Sequence, residues 1–179
     1  MTNSALTRNI SEVLLDKQAI DARVRLLGEQ ITRDYAGKDL LVVGVLTGSV
    51  LFLSDLIRKI DLPVEVDMVA VSSYGASTKS SGIVRLLKDL GRPIRDKHVL
   101  LIEDIIDTGL TLKYLLETLQ ARHPSSIEAC VLLDKPSRRQ VNVPVKYTGF
   151  EIEDKFVVGY GLDCAGLYRN LPYIAVLLP

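Results

Sequence analysis

Three carboxylates stand close together at the end of an apolar run in the middle of the chain. The run Val99–Ile102 is followed by Glu103 and Asp104, and Asp107 comes shortly afterwards. Carboxylates and a phosphate repel one another unless a cation lies between them, and Mg²⁺ prefers carboxylate, water and phosphate oxygens. The spacing therefore predicts a site for a phosphorylated sugar with bound Mg²⁺.

The residues after these carboxylates have the composition of a phosphate-binding turn. The segment 107–111 reads Asp-Thr-Gly-Leu-Thr and leads into a helical pattern. Gly109 permits a sharp turn and a close approach of backbone to ligand, and the free N–H groups at a helix N-terminus attract anions. Thr108 and Thr111 add hydroxyl donors. The alternative is that Asp107 only caps the helix, which leaves the two preceding acids at the end of a buried strand unexplained.

Apolar periodicity places this segment among alternating strands and helices. The predicted strands are 40–46, 64–71, 98–102, 127–133, 156–160 and 173–178, and the predicted helices are 16–35, 49–60 and 110–122. Continuous apolar strands that alternate with helices are typical of an α/β fold with a parallel sheet covered on both faces. Ligands bind at the carboxyl ends of such strands. Polar residues follow these strands at 46–49, 103–107, 134–135 and 163, so we expect them to meet at one edge of the sheet.

Composition and charge exclude several classes of protein. The 179 residues include 22 Lys and Arg and 22 Asp and Glu, and a net charge of zero does not fit a nucleic-acid binder. Two cysteines are too few for a secreted disulfide scaffold. No stretch reaches the roughly 18 apolar residues of a membrane span, and no signal peptide is visible at the N-terminus. We expect a single domain, residues 1–179, located in the cytoplasm.

The histidines and cysteines are not spaced as a zinc site. His98 is expected to cap the start of a strand, and Cys130 to be a buried thiol. Walker A, dinucleotide-binding and nucleophile-elbow motifs are also absent from the sequence. One segment, 72–82, is small and polar and contains two framing glycines. It is either a solvent-exposed connection or an active-site lid, and its composition favours neither.

Six segments together resemble the hypoxanthine-guanine branch of the type I phosphoribosyltransferases. The segment 101–111, Leu-Ile-Glu-Asp-Ile-Ile-Asp-Thr-Gly-Leu-Thr, resembles that family's phosphoribosyl-pyrophosphate motif. The other segments occur in the family's order at 46–49, 72–75, 132–139, 156–163 and 168–169. The resemblance implies a mostly parallel twisted sheet flanked by helices. It also implies a small hood formed from the chain ends and a mobile lid loop at about 72–82.

The resemblance implies a purine-salvage enzyme. Hypoxanthine or guanine would react with 5-phosphoribosyl 1-pyrophosphate to give IMP or GMP and pyrophosphate, through an oxocarbenium-like transition state. Mg²⁺ is the implied cofactor, and a homodimer or homotetramer is the implied assembly. A transferase for xanthine or a pyrimidine is the alternative within the fold, and Lys135 and Phe156 argue against a pyrimidine. The alternatives from other classes are a nucleotide-sensing regulator that binds nucleic acid and a phosphate-binding module without catalysis.

For the phosphorylated sugar, the resemblance implies a site on residues 103–111. The 5′-phosphate would lie on Asp107, Thr108, Gly109, Leu110 and Thr111. Glu103 and Asp104 would face the ribose hydroxyls and Mg²⁺, and Asp107 would also act as general acid/base near purine N7. These three carboxylates would form the catalytic set.

For the purine, the resemblance implies contacts with Lys135, Phe156, Val157 and Asp163. Lys135 would donate to the 6-oxo group, which favours hypoxanthine and guanine over adenine, and Phe156 would stack on the base. From the residues alone, a solvated lysine is the favoured interpretation of Lys135. Phe156 is also explained as a core aromatic and Asp163 as a turn residue. Arg138 and Arg139 are expected to be surface charges in either case.

For the pyrophosphate, the resemblance implies a loop at 46–49 whose peptide bond before residue 47 is cis. The ligands would be Leu46, Thr47, Gly48 and Arg169, and Asp163 would hold a second Mg²⁺. Many relatives carry Lys or Arg at position 47, so Thr47 removes one cation unless another residue supplies it. Ser73 and Tyr74 would close over the site from the lid and exclude water.

Overall fold

The computed structural model describes residues 9–73 and 84–178, and over that part of the chain it contains two sheets and three α-helices. In chain order the elements are β1 (Ile10–Leu15), α1 (Lys17–Asp34), β2 (Leu40–Leu46), α2 (Val50–Ile57), β3 (Val64–Ser73), β4 (Val84–Lys88), β5 (His98–Ile106), α3 (Leu110–Gln120), β6 (Ser126–Asp134), β7 (Tyr147–Glu151), β8 (Val157–Val158) and β9 (Ile174–Leu177). A 3-10 turn at Pro136–Arg138 follows β6.

The larger sheet has the strand order β4-β3-β2-β5-β6-β7. Its neighbouring strands pair in parallel, except for β4, which is antiparallel to β3. The expected mostly parallel sheet is therefore confirmed. Because β2, β5 and β6 are central and parallel, their carboxyl ends lie side by side at one edge of the sheet.

Alternate residues of the central strands face two separate hydrophobic clusters. Val42 and Leu100 pack with the buried face of α1 and α2, whereas Val43 and Leu101 pack with the buried face of α3. Successive strand side chains point to opposite faces of a sheet. Helices therefore cover both faces, which is why these strands read as continuous apolar runs.

Helix α1 begins and ends where its apolar periodicity does. The Asp16 side chain accepts a 2.8 Å hydrogen bond from the N–H of Ala19 and so caps the first turn. Gly28 lies on the buried face, where the end of α2 crosses α1. A Cβ on Gly28 would lie 2.6 Å from the backbone oxygen of Lys59, so the absent side chain permits the close approach of the two helices.

The second, smaller sheet joins both ends of the described chain. Its order is β1-β9-β8, with antiparallel pairing throughout. No strand was expected before residue 16, because single apolar residues are mixed with polar ones there. Its partner strand is distant in sequence, so local pattern does not reveal it.

Two further strands, β4 and β7, also differ from expectation. Both are short edge strands of the larger sheet. The backbone of β7 is secured by α1, because Arg23 donates from Nε to the Gly149 oxygen (2.8 Å) and from Nη2 to the Thr148 oxygen (2.5 Å). Tertiary contacts of this kind override a weak local signal.

The expected structural roles of His98 and Cys130 are confirmed. His98 is the first residue of β5, and its Nδ1 lies 2.8 Å from Ser126 Oγ on β6. Cys130 is fully buried in β6, and burial raises the pKa of its thiol. Among residues 9–73 and 84–178, no helix combines the length and apolar character needed to cross a membrane.

We predict that Gly28→Ala destabilises the protein. Ala is the better helix former by about 1 kcal/mol, but its Cβ would meet the Lys59 backbone, and overpacking costs about 1–3 kcal/mol. Urea denaturation should therefore show a lower free energy of unfolding. Glu29→Ala, at the exposed neighbouring position, is the control and should change it by about 0.5 kcal/mol or less. An equally stable Gly28→Ala variant would contradict the packing described for α1 and α2.

Candidate active site

Residues predicted from separate segments meet at the carboxyl edge of the larger sheet. A Cβ on Gly48 would lie 1.7 Å from Asp104 Oδ2, and a Cβ on Gly161 would lie 2.0 Å from the Gly48 oxygen. The loop after β2, the end of β5 and the loop after β8 therefore touch directly. Glycines are required at these two positions because any side chain would separate the three segments.

The loop between β2 and α2 has the geometry that the resemblance implies. The Leu46–Thr47 peptide bond is cis. Thr47 is exposed, whereas Gly48 and Ser49 are buried. Ser49 Oγ donates a 2.6 Å hydrogen bond to the Val45 oxygen and holds the loop against the end of β2.

Glu103 and Asp104 lie within β5 rather than beyond its end. The strand was expected to stop at Ile102, but pairing with β6 continues to Ile106. Glu103 Oε2 is buried and has no hydrogen-bond partner. Burial, and then the neighbouring Asp104 charge, raise the pKa of Glu103 well above its ordinary value. Two adjacent carboxyls with an unpaired oxygen form a strong acceptor site for a cation or for hydroxyl groups.

Asp104 is less isolated than Glu103. Burial raises the pKa of Asp104, but this is opposed by a 2.8 Å hydrogen bond from the N–H of Ile105 to Oδ1 and by the positive charge of Arg169. The two adjacent carboxyls therefore differ in environment. Glu103 is buried with one oxygen, Oε2, unpartnered, whereas Asp104 has a backbone donor, the Glu103 side chain and a cation nearby.

The segment 107–111 forms a turn beside a small cavity. Gly109 is the N-cap of α3, with a φ of 84° that a residue with a side chain rarely adopts. The cavity measures about 140 Å³ and is lined by residues 103–109, 111 and 112. Thr108, Gly109 and Thr111, at the start of α3, therefore border the same cavity as Glu103 and Asp104. This arrangement can hold an anion on the helix side and a cation on the strand side.

Lys135 is buried immediately after β6. Only 7% of its surface is exposed, so the interpretation as a solvated lysine is wrong. Its Nζ donates a 2.6 Å hydrogen bond to the Lys155 oxygen and lies 3.9 Å from Asp154 Oδ1. Burial lowers the pKa of Lys135, against the charges of Asp107 and Asp154. A desolvated cationic donor is therefore placed beside the segment that leads to Phe156.

Phe156 and Val157 have opposite environments. Phe156 is 57% exposed, so the interpretation as a core aromatic is wrong, whereas Val157 is 6% exposed. Lys135 donates to the backbone oxygen of Lys155, the residue before Phe156, so the lysine and the aromatic residue are held near each other. An exposed aromatic face next to a buried cationic donor can take up a flat, polar ring.

Arg169 is the cation of the segment 159–169. Its Nη1 donates to the Gly161 oxygen at 2.6 Å, and its Nη2 lies 2.8 Å from Asp163 Oδ1. Asp163 Oδ2 also accepts a 2.7 Å hydrogen bond from the N–H of Gly166. Asp163 therefore stabilises the turn to Gly166, as expected of a turn residue, and also forms an ion pair with Arg169. Arg169 also contributes its positive charge at Asp104, so it lies between the two acidic parts of the site. Within residues 9–73 and 84–178 no three His, Cys, Asp or Glu side chains gather as a metal cluster.

The expected lid is only partly within the described residues. Ser73 is the last residue of β3. Tyr74 and most of the segment 72–82 lie outside the described residues.

The chain matches a known family over most of its length. Residues 11–165 match the model of the phosphoribosyl transferase domain. The chain belongs to the phosphoribosyl transferase family. It is 52% identical to a hypoxanthine-guanine phosphoribosyltransferase of Staphylococcus aureus over 96% of both chains. It is 49% identical to one of Mycobacterium avium, covering 96% of this chain and 87% of that protein.

Solved phosphoribosyltransferase structures have the same fold. A hypoxanthine phosphoribosyltransferase of Staphylococcus aureus superposes with a TM-score of 0.95 at 50% identity, over 100% of this chain and 97% of that one. A hypoxanthine phosphoribosyl transferase of Trypanosoma cruzi gives a TM-score of 0.90 at 38% identity, over 96% and 93%. These matches confirm the family and the type I phosphoribosyltransferase fold that the sequence motifs indicate.

Arg139 is a residue of the site that sequence reasoning missed. Its Nη2 donates to Asp134 Oδ1 at 2.5 Å, its Nη1 donates to the Asp107 oxygen at 3.3 Å, and its side chain is 19% exposed. Its aliphatic part also packs beneath Gly109. The expectation of a surface charge is therefore wrong for Arg139. Its type and position in the sequence match those of the half-exposed Arg138, so no local signal distinguishes the two.

We predict that Arg139→Met is strongly destabilising and Arg138→Met is not. Removing Arg139 leaves Asp134 unpaired in a mostly buried position, which costs about 3 kcal/mol. Arg138 makes only longer contacts, at 3.3 Å to Asp107 and 3.5 Å to Asp154, and its side chain is 49% exposed. Its loss should cost about 1 kcal/mol or less. Urea denaturation of both variants measures the difference, and equal losses would contradict the distinction.

Proposed function

We propose that this chain is a purine-salvage enzyme that transfers the phosphoribosyl group of 5-phosphoribosyl 1-pyrophosphate to hypoxanthine or guanine. The observation that carries the proposal is the cavity of about 140 Å³ where two adjacent carboxyls lie beside a helix N-terminus. This cavity occurs in a chain that is 52% identical to a hypoxanthine-guanine phosphoribosyltransferase. Its two carboxyls suit a cation and sugar hydroxyls, and the turn at the start of α3 suits a phosphate.

The 5′-phosphate is proposed to bind on Asp107, Thr108, Gly109, Leu110 and Thr111. Gly109, with its left-handed φ, and Thr111 in the first turn of α3 both line the cavity, and free N–H groups at a helix N-terminus attract anions. Arg139 holds the Asp107 carbonyl and supports Gly109 from below. The loop is thereby held in place before the ligand arrives, which reduces the entropic cost of binding.

Glu103, Asp104 and Asp107 are proposed as the catalytic carboxylates. Transfer breaks the bond from C1′ to pyrophosphate and forms a bond from C1′ to a purine nitrogen, so positive charge develops on the sugar. Glu103 and Asp104 accept hydrogen bonds from the ribose hydroxyls and stabilise that positive charge. The stabilisation is stronger because the two groups are shielded from water. The purine loses one proton as its ring nitrogen is alkylated, and Asp107, near N7, is proposed as the general acid/base for it.

Mg²⁺ fits the donor set that β5 provides. Glu103 Oε2 is buried without a partner and lies beside a second carboxyl, and both groups are hard oxygen donors. We propose Glu103 and Asp104 as contacts for one Mg²⁺ and Asp163 for a second. When bound, Mg²⁺ neutralises the charge of the departing pyrophosphate.

The purine is proposed to bind between Lys135, Phe156, Val157 and Asp163. The exposed face of Phe156 stacks on the base, and backbone groups of Val157 contact its edge. Lys135 donates to the 6-oxo group. A buried cationic donor favours a carbonyl over an amino group at this point, which selects hypoxanthine and guanine over adenine.

Pyrophosphate is proposed to lie on Leu46, Thr47, Gly48 and Arg169. The loop contributes backbone groups at the start of α2, and Arg169 contributes the cation that Thr47 does not. Arg169 is already held by Gly161 and Asp163, so little conformational entropy is lost when it meets the leaving group.

The remaining features are proposed on the family resemblance. Residues 1–179 form one domain, with the β1-β9-β8 sheet as the hood and the segment 72–82, including Ser73 and Tyr74, as the lid. The protein works in the cytoplasm as a homodimer or homotetramer. We expect no nucleic-acid partner, because the net charge is zero.

A base panel tests the proposed function. Purified protein, Mg²⁺ and 5-phosphoribosyl 1-pyrophosphate are incubated separately with hypoxanthine, guanine, xanthine and adenine, and nucleotide is quantified. We expect product with hypoxanthine or guanine, none with adenine, and a rate reduced about 100-fold or more in Asp107→Asn, which cannot transfer the proton. Absence of turnover with every base, while 5-phosphoribosyl 1-pyrophosphate still binds, would overturn the enzyme assignment.

We predict that Lys135→Met lowers kcat/KM for hypoxanthine and guanine by about 100-fold, because the 6-oxo group loses its donor. The discrimination against adenine should shrink correspondingly. Lys146→Met is the control and should leave both values unchanged, because Lys146 directly precedes β7 and lies away from the carboxyl edge. If Lys135→Met stays folded by thermal melting and still rejects adenine as before, Lys135 does not read the base.

A further inference from the structure

The segment 159–161 has an uncommon backbone conformation. Three consecutive residues have positive φ: Gly159 at 99°, Tyr160 at 48° and Gly161 at 102°. Glycine adopts such angles freely, but in tyrosine the Cβ opposes the left-handed region. Tyr160 therefore needs contacts elsewhere that hold it in this conformation.

The side chain of Tyr160 supplies those contacts. Its hydroxyl donates a 2.7 Å hydrogen bond to Asp55 Oδ2 of α2, and only 6% of the residue is exposed. Its N–H donates to the Leu171 oxygen at 2.9 Å. Burial and the bond to Asp55 raise the pKa of Tyr160, so the hydroxyl keeps its proton and acts as the donor. Arg58 contacts the other oxygen of Asp55, which leaves Oδ2 for the tyrosine.

The conformation of Tyr160 determines where its neighbour lies. Gly161 sits against the Gly48 oxygen so closely that a Cβ would lie 2.0 Å from it. The Gly161 oxygen accepts a 2.6 Å hydrogen bond from Arg169 Nη1, and Arg169 pairs with Asp163. The bond from Tyr160 to Asp55 thus links the segment that holds Arg169 to the helix that follows the loop 46–49.

We propose that Tyr160 is a positioning residue for the pyrophosphate end of the site, acting through its hydrogen bond to Asp55. The inference rests on the proposed function, since it concerns the pyrophosphate that the loop 46–49 and Arg169 are proposed to bind. The loop 46–49 and Arg169 belong to different segments of the chain, and the hydrogen bond of the Tyr160 hydroxyl holds these segments at a fixed separation. The tyrosine itself touches no reacting atom.

The test changes the donor and the acceptor of the hydrogen bond between Tyr160 and Asp55 in separate variants. Tyr160→Phe removes only the hydroxyl, Asp55→Ala removes the acceptor, and Asp55→Asn keeps an acceptor oxygen. Tyr147→Phe is the matched control, because Tyr147 is also buried and donates a 2.7 Å hydrogen bond to a carboxylate, Asp34, away from the carboxyl edge. Pyrophosphate binding with Mg²⁺ is measured by calorimetry, and the KM values for 5-phosphoribosyl 1-pyrophosphate and hypoxanthine are measured separately.

We expect Tyr160→Phe and Asp55→Ala to weaken pyrophosphate binding about tenfold, because Arg169 and the loop 46–49 are then no longer held in the arrangement that binds the ligand. The KM for 5-phosphoribosyl 1-pyrophosphate should rise by a similar factor while the KM for hypoxanthine stays unchanged. Asp55→Asn should retain the affinity of the natural chain. Tyr147→Phe should lower the melting temperature without changing either KM.

A purely structural role has a different signature. If Tyr160→Phe lowers the melting temperature as Tyr147→Phe does and leaves pyrophosphate affinity unchanged, the positioning role is overturned. Calorimetry also separates this result from failure of the proposed function. A chain that turns over no base but binds pyrophosphate about tenfold more tightly than Tyr160→Phe would keep the inference and reject the transferase. A chain that binds no pyrophosphate would reject both.

Discussion

Burial of two adjacent carboxyls in β5 is the constraint around which the site is built. Glu103 and Asp104 lie in β5 just beyond the end of its pairing with β2 at Ile102, where the strand still pairs with β6, and burial raises the pKa of both carboxyls. Leaving such groups without partners costs free energy. Gly48 admits Asp104 by having no side chain, and Arg169 offsets part of its charge. Glu103 is left uncompensated, and that unpaired oxygen is what a cation or sugar hydroxyl would satisfy.

Other charged side chains of the site are also buried, and protein groups rather than water form their hydrogen bonds and ion pairs. Lys135 is buried against the Lys155 carbonyl, and Arg139 pairs with Asp134 beneath Gly109. Desolvated groups of this kind interact more strongly with a ligand than solvated ones. The same burial makes them costly to mutate. Stability and activity measurements must therefore be made on the same variants, as with the paired arginine and paired tyrosine substitutions.

Much of the fold can be predicted from the sequence because it depends on local patterns of apolar residues. Continuous apolar runs predict β2, β3, β5 and β6, since a strand covered on both faces needs apolar residues throughout. Apolar spacing predicts α1. Parallel pairing then places the residues after these strands at one edge, and six ordered segments, of which 101–111 is one, indicate the family. These features require no knowledge of distant contacts.

The sequence by itself therefore determined the family, the fold and the edge of the sheet that carries the site. Only the tertiary structure decided how individual side chains are used. Arg138 and Arg139 are identical in type, yet one is half-exposed and the other is paired beneath Gly109. The exposure of Phe156, the burial of Lys135 and the bond from Tyr160 to Asp55 likewise depend on residues distant in the chain. Burial and pairing are properties of spatial neighbours, which a local sequence pattern does not specify.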